Sequence, residues 1–554
     1  VYSGPLAEVV PVLEGDAAGP SLVGISIEDT EHHIRRWAPG PGRHDYAVFV
    51  LTGMDDKAQS MRSNYSGIGT RLVLRNGSRW SIVDTFDRHS GRGQSLQPLA
   101  LGLGGRDKAD YVALYWSDGV FQTELDVEAG SIHNIAETQR QLSSCPVLFA
   151  WNGSGFGFVS DILGVGGLGF FNSPGQYNEP RPWEYFLLDD RQLTARDGRY
   201  MLKITEPMEE NAYLDRVALR VLDVPPGWSM ALDERMATGA PEVTGEPIFY
   251  RREIALLAAV NQDDKVVTES LQEADAQAAP VGPLDKRFIG RLAQPHVLTL
   301  EFEQPLETDE GKLVLLADGW IEYPYSQTVF AAWQAQEDYR PATLEAENAS
   351  GQWVEVYEAF GYPAGMPRQM ALPLAGLPAG TRRLRLSSNM EIYWDRIRVV
   401  VAEEPGNVRR HKAPMAAARL AKTGFPRRVN YAQRRPDYNY SDRSPYWDTK
   451  YLTGYYTTFG PIMELVAETD DALAIVGPGE EAHVEFEAIG TPPAQGWKRY
   501  FVLEARGYAK DMDLYTRDGE TVGPLPVRQP ADKTRMARRE ALHKKYNTRF
   551  QAGD

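Results

Sequence analysis

No uninterrupted apolar run in this chain is longer than the seven residues from Ile254 to Val260. A membrane-spanning helix needs about 20 apolar residues, so the sequence predicts no membrane span. What remains is a pattern of short strand-like runs closed by turn formers. The chain of 554 residues spreads 50 glycines and 37 prolines along its length. Two runs flank Asn76-Gly77, the strongest short hairpin signal. Val147 to Trp151 turns at Asn152-Gly153 into Phe156 to Ser160, and Arg216 to Val224 ends at Pro225-Pro226-Gly227. The expected fold class is mainly β: several β-sandwich or jelly-roll-like domains with long connecting arms and little helix.

The punctuation suggests six segments. They are a β domain at 1–137 with an extended start, Gly- and Pro-rich hairpins and a β domain at 138–292, and a jelly-roll-like domain at 293–404. An extended arm rich in Arg and Tyr follows at 405–460, then strands at 461–526 and a basic tail at 527–554 with helical character from Ala531 to Lys545. His483-Val-Glu-Phe and Tyr500-Phe-Val-Leu echo His296-Val-Leu-Thr-Leu-Glu-Phe and Leu313-Val-Leu-Leu. Two copies cannot make an array, so the echo reads as two related sheet edges.

Charge excludes one large class. With 59 Lys and Arg against 76 Asp and Glu, the net charge is −17, and nucleic-acid backbones require a basic footprint. A single cysteine, Cys145, forbids an intrachain disulfide and an all-cysteine metal site. The start at Val-Tyr-Ser, without Met or signal peptide, implies that an N-terminal segment was removed or that the chain continues upstream.

No catalytic constellation stands out. Gly164-Val-Gly166-Gly167-Leu-Gly169 matches G-x-G-x-x-G, but Phe-Phe-Asn-Ser-Pro-Gly follows and cannot start the helix that a dinucleotide site needs. The preferred reading is a tight loop packing Phe170 and Phe171. His32, His33 and His44, with Asp29 or Glu31, are a weak metal set, because adjacent residues of an extended segment point apart. Glu206, Glu209 and Glu210 read as a solvated acidic turn, with Ca²⁺ binding or acid–base chemistry as the alternative. Asp511 and Asp513 are a second weak Ca²⁺ pair. No other cofactor is expected. The aromatic stretch Trp320, Tyr323, Tyr325, Trp333 and Tyr339 either stacks on sugar rings or fills a core. Trp116, Trp320 and Trp394 are expected in cores. Arg434 and Arg435, with Tyr438 and Trp447, lie in the arm as partner-contact candidates, since Arg and Tyr are enriched in interface hot spots.

Gly67-Ile-Gly69, Gly102-Leu-Gly104, Trp116-Ser-Asp118-Gly119 and Ile135-Ala-Glu137 occur in that order. Residues 67–137 thereby resemble the ASPIC/UnbV domain, with Trp-Ser-Asp-Gly where the family usually has Trp-Pro-Asp-Gly. The remainder, from Cys145 to the Asp511 region, resembles the C-terminal half of large bacterial FG-GAP/VCBS-repeat proteins, similar to cartilage acidic protein. The resemblance implies a secreted, mostly non-enzymatic protein. The propeller loops of such proteins, D-x-D-x-D-G, do not occur here, so any propeller would lie upstream of Val1. The expected function is an exported, non-catalytic protein acting in binding or assembly at a bacterial cell surface, outside the cell or in the periplasm. Expected partners are a protein or further copies of the chain, with the arm and tail making the contact, or a glycan. A glycan-active protein and a subunit of a surface layer or filament are the alternatives.

Overall fold

The structure, a computed structural model, describes residues 2–12, 21–28, 30–40, 46–53, 63–85, 98–117, 121–137, 145–444 and 450–553. It is about 50% strand and 7% helix. The described residues hold three α-helices, Ser326–Gln334, Met463–Val466 and Lys533–Tyr546, and no helix is long and apolar enough to cross a membrane. The chain divides into two units, Val1–Gln141 with Trp447–Thr449, and Leu142–Tyr446 with Lys450–Asp554.

The described residues of the smaller unit form three sheets. Leu6–Val12, Ser21–Glu28 and Glu31–Trp37 form an antiparallel meander. Tyr46–Thr52 lies between Leu99–Gly102, antiparallel, and Ile132–Ala136, parallel. The third sheet runs Arg79–Asp84, Arg71–Asn76, Tyr111–Tyr115, Phe121–Glu124. Its first hairpin is the one that Asn76-Gly77 announces, with Asn76 opposite Arg79.

The larger unit holds two β-sandwiches, one inserted in the sequence of the other. One sheet of the outer sandwich runs Phe156–Asp161, Val147–Trp151, Arg199–Thr205, Glu480–Glu487, Met415–Lys422, Gly460–Pro461. The facing sheet runs Trp183–Asp189, Lys498–Asp511, Glu210–Val224, Arg409–Ala413. Alternation drives the packing. In Glu210–Val224, Val217, Leu219 and Val221 face the core while Arg216 and Arg220 do not. Leu202 and Val484 meet them from the other sheet. The inserted sandwich occupies residues 229–402. It packs Leu298, Leu344 and Leu386 of one five-stranded sheet against Leu315, Met370 and Val399 of the other.

This nesting differs from the linear reading of segments. The jelly-roll-like body begins at Ser229–Leu232, well before 293. The stretch 405–460 is not extended arm throughout: Arg409–Ala413 and Met415–Lys422 are strands of the outer sandwich. The hairpin Phe425–Asn430 with Pro436–Ser444 straps the two sandwiches together. At its base Arg443 and Tyr440 bond to Glu481, at 2.7 and 2.9 Å. At its tip Arg434 lies 3.2 Å from Glu391 and 3.8 Å from Glu322. The internal echo is also re-read. In each copy the first strand lies in one sheet of its sandwich and the second in the opposite sheet, and all four are interior strands. The echo marks the same crossover in two sandwiches, not two edges.

The basic tail folds onto its own chain. Helix Lys533–Tyr546 is capped by Asp532, which accepts from Arg535 N at 2.8 Å. Arg538 pairs with Asp470, Arg535 with Asp471 at 2.8 Å and Lys545 with Glu464 at 2.8 Å. Leu542 enters the outer sandwich's core, and Arg549–Gln551 pairs with Gly454–Tyr456. The charge that suggested a second molecule is matched within the molecule. Leu542→Ala is therefore expected to cost about 2–3 kcal/mol. An unchanged denaturation midpoint would show that the tail is not part of the fold.

Candidate functional site

The two sandwiches meet along a seam of buried charge. Asp161, at the end of Phe156–Asp161, accepts from Met366 N at 3.0 Å and from Ser160 Oγ at 3.1 Å. Glu184 accepts from Leu163 N at 2.6 Å and pairs with Arg368 of the inserted sandwich. Glu234 of that sandwich pairs with Arg181 and accepts from Tyr185 N at 3.0 Å. Burial and then the neighbouring Glu184 push the Asp161 carboxyl up to about 6, against Arg368 and the bond from Met366.

The glycine-rich loop is part of this seam. Gly164–Gly166 is a 3₁₀ turn, and Phe171–Ser173 after it is a strand rather than a helix. A Cβ on Gly164 would lie 2.8 Å from Cys145 Sγ, and one on Gly166 would lie 2.7 Å from Gly507 O. The glycines allow close backbone approach and present no phosphate cradle.

Against the seam lies a cavity of about 650 Å³. Its acidic wall comes from the outer sandwich: Glu210 and Asp511 sit directly opposite each other across the pair Glu210–Val224 and Lys498–Asp511. Its aromatic wall comes from Phe170 and from Tyr323, Trp333 and Tyr339 of the inserted sandwich. Trp333 is 48% exposed, whereas the Tyr323 hydroxyl is buried without a hydrogen-bond partner among the described residues. Cys145 also faces the cavity, and burial together with Glu210, Asp161 and Asp511 pushes its thiol well above the ordinary range. It therefore stays protonated and is a poor nucleophile.

Four residues from three separate stretches of the sequence thus converge: Glu210, Asp511, and Tyr323 with Trp333. Other sequence candidates do not join them. The acidic turn is not solvated, because strands close over it. Glu206 is fully buried, accepts from Met208 N at 3.2 Å, and is pushed well up by burial, with Asp511 adding to the effect. Glu209 is buried and turns toward Lys450 at 3.8 Å. Asp513 receives Gln327 N at 3.0 Å at the start of helix Ser326–Gln334. Trp320 is no platform: it is 1% exposed, stacks on Tyr393 at 5.6 Å and donates to Gln433 O at 2.8 Å. Trp394 and Tyr325 are buried, and Tyr438 packs with Phe149 and Phe158. Arg434 is an intrachain clamp. Arg435 lines a second cavity. Trp447, His44 and Asp29 lie outside the described residues, while His32 and His33 are exposed on Glu31–Trp37. Among the described residues no three His, Cys, Asp or Glu side chains converge to hold a metal ion.

In the smaller unit one motif glycine, Gly67, closes on Trp116. Its ring is buried and its Nε1 donates to Gln122 Oε1 at 2.8 Å. Gly67, at φ +61, passes so close that a Cβ would lie 3.4 Å from the indole and 3.1 Å from Leu51. Glu137 is buried and accepts from Ser63 Oγ at 2.9 Å. Residues 60–142 match the family ASPIC and UnbV. Asp118 and Gly119 of the motif lie outside the described residues. No curated protein matches the chain. Among solved structures, the arabinofuranosyltransferase AftD from Mycobacteria is similar at 11% identity over 89% of this chain and 32% of that one, with a TM-score of 0.14. A mutant form of AftD gives 9% identity over 90% and 33%, with a TM-score of 0.12. These scores are too low to establish a shared fold, and the chain spans about a third of that enzyme's length.

Cys145, Phe170 and the seam groups Asp161, Glu184, Glu234 and Arg368 carried no sequence signal, since each gains its setting from a distant strand. Asp161 gives a test. Its folded-state pKa is raised, so the stability it contributes is present below the unfolded value, about 3.9, and is lost as pH rises through about 6. Asp161→Asn keeps an acceptor for Met366 N without the charge. The variant should gain about 2–3 kcal/mol relative to wild type between about pH 4 and pH 7. Parallel pH–stability curves for the two proteins would refute the assignment.

Proposed function

We propose that this chain is an extracytoplasmic binding protein whose larger unit captures a neutral, hydroxyl-rich ligand, a glycan segment, between the sandwiches. One observation carries the reading: the cavity sets the partly exposed Trp333 and its aromatic neighbours against Glu210 and Asp511. Flat aromatic rings pack on the C–H faces of a sugar, and carboxylates accept from its hydroxyls. An anionic ligand would meet the acidic wall unfavourably. The arm and tail, which suggested assembly, are bound to their own chain, and this shifts the reading toward ligand capture. A bacterial cell surface, the extracellular space or the periplasm is the proposed setting, with FG-GAP or VCBS repeats upstream as companions of the ASPIC/UnbV domain.

A second reading, glycan cleavage, draws on the register of Glu210 with Asp511. Glycoside hydrolysis uses a pair of carboxyl groups, one as acid and one as nucleophile or base, and this register puts two on one cavity wall. A glycan array probed with the full chain, followed by calorimetry on the hits, separates the readings. Trp333→Ala should weaken binding about tenfold, or ~1.4 kcal/mol. Asp511→Asn should abolish product formation only if the chain cleaves its ligand. No retained glycan, or equal affinity for wild type and Trp333→Ala, would overturn the binding reading.

A further inference from the structure

We propose that the second cavity between the sandwiches, of about 610 Å³, is a site for a hydroxyl-rich ligand bearing one carboxylate, such as a uronic-acid unit of an acidic glycan. This site does not depend on the cavity of Glu210 and Asp511. The inference starts from charge matching along its wall. Arg368 is held by Glu184, Arg396 by Asp318 at 2.9 Å, Arg398 by Glu253 at 2.7 Å and Arg191 by Asp189 at 2.6 Å. Acids on the wall are engaged as well: Asp395 accepts from Ala276 N and Gln277 N, both at 3.1 Å, and Glu234 pairs with Arg181. Arg435 is the exception. Among the described residues it has no carboxylate at ion-pair distance, only the ring of Tyr431 at 5.7 Å. On the same wall the Nε–H of Arg398 is buried without an acceptor.

The unmatched guanidinium is also positioned. It follows two residues, Gln433 and Arg434, held at φ +55. For non-glycine residues such backbone costs energy and persists only where the surroundings over-determine it. Here they do. Trp320 Nε1 donates to Gln433 O at 2.8 Å, Gln433 Nε2 donates to Ala278 O at 2.7 Å, and Arg434 lies 3.2 Å from Glu391. The strap thus fixes the backbone that delivers Arg435 to the cavity. A planar carboxylate fits a guanidinium with two parallel hydrogen bonds. A neutral sugar would leave Arg435 unmatched. A dianion such as phosphate would set a second negative charge against a wall already rich in carboxylates.

Calorimetry on the full chain with galacturonic acid, which bears one carboxylate, with galactose as the neutral sugar, and with inorganic phosphate tests this. Wild type should bind the uronate about tenfold more tightly than the neutral sugar, and less tightly as salt rises. Arg435→Gln should abolish that preference without lowering the melting temperature. Arg435→Lys, which keeps the charge but not the fork, should retain part of it and carries the test if the glutamine variant does not fold. Trp333→Ala, on the other cavity, should leave uronate binding unchanged. No binding of the uronate to wild type, equal preference in Arg435→Gln, loss in Trp333→Ala, or phosphate binding as well as the uronate would each overturn the proposal.

Discussion

The carboxylates buried between the two sandwiches, each held by an arginine or by backbone N–H groups, are the constraint on which the larger unit depends. Glu184 with Arg368 and Glu234 with Arg181 tie the sandwiches at one level, and Arg434 with Glu391 and Glu322 ties them at another. Taking such charges out of water costs several kcal/mol per ion, and leaving one unpaired is worse still. The seam therefore tolerates little sliding: a shift that broke Glu184 from Arg368 would strand both. That rigidity gives the two cavities fixed walls, because each draws one wall from each sandwich.

The strap is the clearest case of electrostatics and backbone acting together. Burial pushes the Glu391 carboxyl up to about 7; Arg434 opposes this and Glu322 adds to it. At the other end, burial works against Glu481, yet its bond from His483 and the nearby Arg443 bring it down to about 2. One end of the hairpin is thus anchored by a firmly ionised carboxylate and the other by one near its titration point. Arg443 and Arg434, both within a segment that reads as an extended arm, are the cations that these two ends require.

Local features were legible in the sequence and non-local ones were not. Asn76-Gly77 and Asn152-Gly153 specify their hairpins through turn geometry alone, and both form. The tryptophans in strand-like runs, Trp116, Trp320 and Trp394, are buried as their surroundings imply. The acidic turn failed because its burial comes from elsewhere. Glu206 N donates to the carbonyl of Glu480, and Lys450 approaches Glu209, neither of which leaves a mark near residue 206. The tail failed for the same reason in reverse. Its positive charge was plain, but the acids that receive it, Glu464, Asp470 and Asp471, lie together far upstream, and nothing in that stretch marks it as the tail's partner. Of the aromatic stretch, the strand-like run marked Trp320 for burial, but nothing local marked Trp333 as half in solvent.

The nesting of one sandwich inside the other also sets an order of construction. Strand Glu210–Val224 emerges from the ribosome long before its main neighbour, Lys498–Asp511; the bidentate pair Asp223–Arg499 joins residues 276 apart. The inserted sandwich, 229–402, has all the strands of both its sheets within one continuous stretch and can complete itself first. Once complete, it acts as a splint, because its two ends lead into strands in which Asp223 and Arg409 are opposite partners. Pairing Glu210–Val224 with Arg409–Ala413 then requires ordering only the few residues beyond the splint, and loop-closure entropy grows with the length of chain left free. Until the last strands are made, however, Glu210–Val224 presents an open edge of the kind that pairs with stray chains. A nascent polypeptide interrupted before Lys498 would be a finished inner body carrying an unfinished outer one.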